Sequence, residues 1–88
     1  MDGADQQALT CGVIERLALD MDDLWHAQLA AGGTPNQAQF LLYCLFQRGL
    51  NSWARDAVSV AINEMNADLG FPLRAPYSFD LDITPAGP

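Results

Sequence analysis

The chain has no lysine, and its 4 basic residues, all arginine, stand against 11 aspartates and glutamates, a formal net charge of -7 over 88 residues. Phosphates need clustered cations, so nucleic acid is not expected as a direct ligand. Charged residues of either sign make up only 17% of the chain while 50% is apolar. That balance excludes a disordered acidic tail, which has too few apolar groups to offset chain entropy. Cysteine is scarce: 2 residues, Cys11 and Cys44, make a poor disulfide framework, and both are expected as reduced thiols packed like small hydrophobes. Long apolar runs are also missing. Phe40 to Phe46 falls far short of the ~20 residues of a membrane span, and Gly32-Gly33-Thr34-Pro35 breaks the weakly charged stretch before it. Met1 to Asp5 carries no basic residue ahead of an apolar run, so no secretory signal is read there and a cytoplasmic protein is expected.

What is present organises as one domain, because a chain of this size cannot build two cores. Apolar periodicity predicts an all-α fold: a three-helix bundle over 1–70 with an extended arm over 71–88. The first helix is expected from Asp5 or Thr10 to Ala31, with Ile14, Ala18, Met21, Trp25 and Leu29 on its core face. Asp20-Met21-Asp22-Asp23 is its weak point, since aspartate can cap a helix internally. The second is expected from the Thr34 cap and Pro35 at its first position to Gly49, and as the most apolar helix it should be central, with Leu41 and Leu45 buried. The third is expected from Asn51 or Ser52 to Gly70. Trp53, Ala57, Ala61, Met65, Val58, Ile62 and Leu69 would face inward, and Arg55, Asp56, Ser59, Asn63, Asn66 and Asp68 outward.

In the arm, Pro72, Pro76, Pro85 and Pro88 exclude helix over most of the segment, and Tyr77 to Thr84 alternates apolar and polar with the period of a half-buried strand. A lone strand leaves unpaired groups on both edges. The arm therefore closes the open face of the bundle, or its row Tyr77, Phe79, Leu81 and Ile83 adds to a partner while Asp80 and Asp82 meet basic groups.

Few residues suggest chemistry. Cys11, Cys44 and His26 lack the spacing of a metal site, and Asp20, Asp22 and Asp23 lack the glycine and closing glutamate of a calcium loop, so no metal, cofactor or catalytic residue is assigned. Asp22 and His26, one turn apart, read as a solvated pair. The expected function is a non-enzymatic protein-binding module, an adaptor, subunit or inhibitor of phage type. It would engage a basic surface on a larger protein, as a mimic of nucleic-acid charge, or a second copy of itself. Tyr77, Phe79, Asp80, Leu81, Asp82, Ile83 and the acidic group Asp20, Asp22 and Asp23 are the candidate contacts. Two alternatives stand beside it: a purely structural subunit, and a helix-turn-helix regulator with Arg55 at the start of the second motif helix.

Overall fold

Four short polar side chains decide where the helices begin. Asp2, Asp20, Asn36 and Asn51 each hold an extended backbone and accept a hydrogen bond from the amide three residues on, which satisfies one of the donors a helix start leaves open. The computed structural model describes residues 1–80, and after these caps run α1 (Gly3–Leu17), α2 (Met21–Ala30), α3 (Gln37–Cys44) and α4 (Ser52–Leu69). The all-α class expected from periodicity holds.

The helix ends also follow one pattern. Gly32 and Gly70 take positive φ, and the following amides, Gly33 N and Phe71 N, close back onto the carbonyls of Gln28 and Asn66. This is the Schellman closure, for which glycine has no steric penalty. The same closure ends α1 at Ala18 (φ 48) and α3 near Phe46 (φ 63), with Leu19 N on Ile14 O and Gln47 N on Leu42 O.

These two non-glycine closures account for the main departures from the sequence expectation. The first helix does not continue to Ala31: Ala18 turns the chain, and Asp20 starts α2 by accepting from Asp23 N at 2.9 Å. Thr34 is not the cap of α3. Asn36 and Gln39 form a reciprocal capping box, each side chain on the other's amide, and it outcompetes a single hydroxyl. Nor does α3 reach Gly49, since Phe46 ends it sooner.

Such a short helix has one inward side. Phe40 and Tyr43 are fully buried, whereas Leu41 and Leu45, expected in the core, lie 36% and 64% exposed. Among the described residues no element covers that outer side. The centre of the fold is instead α4, which packs against α1 and α2. Ala54, Ala57 and Ala61 let those helices approach closely, and Val58 and Ile62 fill the core with Leu24, Val13 and Ile14. Trp25 is half-buried, its indole donating to Pro35 O. Trp53 and Leu69, expected inward, are exposed, and Trp53 donates to Gly32 O at 3.0 Å.

The polar side of α4 is not a solvated face. Asp56, Ser59, Asn63 and Asn66 recur at three- and four-residue spacing and so form one stripe, along which residues 73–78 run in the opposite direction. Asn66 Nδ2 donates to Leu73 O (2.6 Å), Asn63 brackets Ala75 by accepting from its N (2.8 Å) and donating to its O (3.0 Å), and Ser59 Oγ donates to Pro76 O (2.6 Å). Asp56 accepts from Ser78 N and Oγ at 2.7 and 2.6 Å. No strand occurs among the described residues, and the stretch expected as one begins as a turn, with Asp80 N on Tyr77 O. The physical reason is that the Tyr77 amide is taken by Asp80 and the Ser78 amide by Asp56 of α4, so neither is free for a ladder; Leu81 to Thr84 lie outside the described residues.

Burial now ranks the core substitutions. Phe40→Ala is expected to cost about 3–5 kcal/mol, the usual range for an emptied aromatic site, and Leu45→Ala less than about 1 kcal/mol, because a largely exposed leucine leaves little cavity. Urea unfolding midpoints of the two variants check the order.

Candidate functional site

The arm residues among the candidates are held against their own bundle as far as Asp80. Tyr77 accepts at its hydroxyl from Asn63 Nδ2 (3.0 Å), its amide donates to Asp80 Oδ2 (2.7 Å), and its ring stacks on Phe79 with centroids 5.2 Å apart. The amino group of Met1 donates to the carbonyls of Ser78 (3.3 Å) and Asp80 (2.9 Å). Leu81, Asp82 and Ile83 lie outside the described residues.

Asp56 anchors this end of the stripe. Gln6 Nε2 donates to it at 3.0 Å, and Arg55 Nε donates to Gln6 Oε1 at 2.7 Å while another nitrogen of the guanidinium reaches Leu50 O. Burial alone would raise the Asp56 carboxyl, but the bonds from Ser78 and Gln6 and the nearby Arg55 charge outweigh it and hold the group below the ordinary aspartate value. Arg55, the cation a helix-turn-helix reading needs for phosphate, is thus spent inside the fold.

The acidic group has local work as well. Asp20 caps α2, and Asp22 accepts from Gln37 Nε2 at 3.1 Å and lies 3.6 Å from His26 Nδ1. Asp22 and Asp23 sit in the first turn of α2, where negative charge complements the helix dipole. Among the described residues no group of three or more His, Cys, Asp or Glu is placed to hold a metal ion.

Between these acids and the outer side of α3 lies a feature that sequence reasoning missed. A cavity of about 470 Å³ is lined by Ile14 and Glu15 of α1, Met21 of α2, and Leu41, Leu45 and Phe46 at α3. Glu15 is the one carboxylate among its lining residues. Phe46 is 54% exposed and holds a left-handed conformation, at a cost of about 1–2 kcal/mol for a residue with a Cβ. The signal was in the sequence, in the excess of apolar residues around α3 over what so short a helix can bury.

Cys11 and Cys44 are free thiols at the base of the same cavity, half-buried rather than wholly so, and Cys11 Sγ donates to Tyr43 O at 3.3 Å. Burial, and then the neighbouring Cys11, pushes the Cys44 thiol up to about 12, and burial raises Cys11 too. Both stay protonated at neutral pH, and a protonated thiol is a poor nucleophile.

For the stripe, the sign of the Asp56 shift sets a pH dependence. Its contribution is complete above the ordinary aspartate range, about pH 4, and is lost as the pH falls through the lowered value. Asp56→Ala is expected to cost about 1–3 kcal/mol at neutral pH, the penalty for stranding buried donors. It should also speed exchange of the Ser78 amide, with the difference from the parent shrinking in acid; hydrogen exchange followed by NMR across that range is the measurement. No protein-family model, no curated protein and no solved structure matches the chain.

Proposed function

We propose that the protein is a non-enzymatic protein-binding module that receives an apolar anchor with basic flanks, offered by a larger protein, in the cavity between α1, α2 and α3. The observation that carries this reading is the aliphatic cavity, with Glu15 in its lining, beside a half-exposed Phe46 in strained backbone. Exposed apolar side chains gathered at one place mark contact surfaces, and strain of this kind persists where it serves a purpose. Glu15 in the lining and the net charge of -7 give the partner its sign: lysine or arginine around aliphatic side chains, as on one face of an amphipathic helix.

The arm is less suited to the principal contact than its sequence suggested, since its backbone from Leu73 to Ser78 is already engaged by α4. A helix-turn-helix role lacks its cation, because Arg55 is bound by Gln6 and Leu50. A cytoplasmic setting, where Cys11 and Cys44 remain thiols, belongs to the same proposal. No helix among the described residues is long and apolar enough to cross a membrane.

The test uses a designed helical peptide with leucine at i, i+3, i+4 and i+7 and lysine elsewhere. Titration should shift the NMR signals of Met21, Leu41 and Phe46 and weaken steeply with added salt, while a glutamate version of the peptide should not bind. Equal binding of both peptides, or shifts confined to other surfaces, would refute the reading. Phe46→Gly separates stability from function: it should raise stability by about 1 kcal/mol by relieving the left-handed strain, yet weaken the lysine peptide several-fold.

A further inference from the structure

A second concavity lies on another face of α1, with the opposite electrostatic character. Leu9, Gly12, Val13 and Arg16 of α1 form one wall of a groove of about 660 Å³, and Leu73, Arg74, Tyr77 and Phe79 contribute to the other. Leu9 is 45% exposed and Phe79 75%. Two of the chain's 4 basic residues thus stand at one apolar groove on a protein of net charge -7. Among the described residues neither has a carboxylate within ion-pair distance. Asp80 also lines the groove, its carboxylate accepting from the Tyr77 amide and keeping its charge, so the two arginines leave the lining with a surplus of one positive charge.

Charge and apolar surface together specify an amphipathic anion, and the backbone narrows the class. A peptide laid along the groove would seek hydrogen bonds from residues 73–77. Yet most of that backbone is engaged: the carbonyls of Leu73, Ala75 and Pro76 are taken by Asn66, Asn63 and Ser59, the amides of Ala75 and Tyr77 by Asn63 and Asp80, and Pro76 has no N–H, which among the described residues leaves the Leu73 amide and the Arg74 amide and carbonyl as the groups open to a peptide. An alkyl chain has no polar groups to satisfy, and the groove lies within the ~300–1,000 Å³ of small-ligand sites. We infer that this groove binds a medium-chain alkyl carboxylate, its tail along Leu9, Val13 and the stacked Tyr77 and Phe79 rings and its carboxylate between Arg16 and Arg74. Guanidinium groups suit this role, since they present paired donors to a carboxylate and remain charged at any working pH.

The experiment is a titration of the full chain with decanoate below its micelle concentration, followed by NMR, alongside decanol and decyltrimethylammonium. Decanoate should shift Leu9, Val13, Tyr77 and Phe79 saturably, and the two other compounds should bind at least about tenfold more weakly, as expected where the charge is recognised. Arg16→Gln and Arg74→Gln, both at exposed positions, should keep the circular dichroism of the parent and each weaken decanoate several-fold. The proposal is overturned if decanol binds as tightly, if the double arginine variant binds decanoate unchanged, or if the shifts fall on the α1–α3 cavity instead. It is also overturned if decanoate binds only after residues 81–88 are removed, because the groove would then be closed to an external ligand in the protein as it exists. Failure here leaves the lysine-peptide test untouched, since the two sites share no lining residue.

Discussion

The stripe Asp56, Ser59, Asn63 and Asn66 is the constraint on which the shape beyond the helices depends. Residues 73–78 have no strand to pair with among the described residues, and two prolines in the stretch from 72 to 76 remove donors that a sheet would need. Side chains short enough to stay ordered, repeated at helical spacing, supply the missing partners one carbonyl at a time. The apolar face of the same helix holds α1 and α2 through alanines at the closest contacts. One helix thus fixes a core on one side and an irregular segment on the next, and Gln6 of α1 ties the two by bonding both Asp56 and Pro76 O. The groove exists because that segment is held at a fixed distance from α1.

Much of this was legible. Periodicity gave the helical class, Asn51 and Gly70 bounded α4, and the possibility that Asp20 acts as an internal cap was visible in its cluster. What misled was the use of glycine as the mark of a helix end. Ala18 and Phe46 end helices in the same left-handed geometry as Gly70, and a sequence offers no sign that such a residue will accept that cost. Missing Phe46 lengthened α3 to Gly49, and the lengthened helix looked central. Leu41 and Leu45 were then assigned to the core by their number rather than by the side of the helix they occupy.

The polar stripe was visible as spacing but not as function. Ser59 and Asn66 share the interval of the outward residues around them, and they are buried only because a segment seven or more positions away folds back over them. Tertiary partners of this kind override the reading of polar as exposed. Over Tyr77 to Asp80, the described part of the alternating stretch, the chain turns instead of extending, because a period of two predicts which way side chains point, not what the backbone bonds to.

Glu15 and Arg16 adjoin in sequence, but the roughly 100° between successive helical residues sends one toward the α3 cavity and the other toward the groove. A net charge of -7 hides this division, because it averages over faces that a ligand meets separately. On the cavity side Glu15 stands among aliphatic side chains, so the proposed basic anchor would gain from both charge and burial. On the groove side two guanidiniums line the same groove as the stacked Tyr77 and Phe79 rings, so the proposed anion with a tail would gain in the same two ways. The proposed anchor site and the proposed anion site thus lie on different faces of α1, with Glu15 lining one and Arg16 the other.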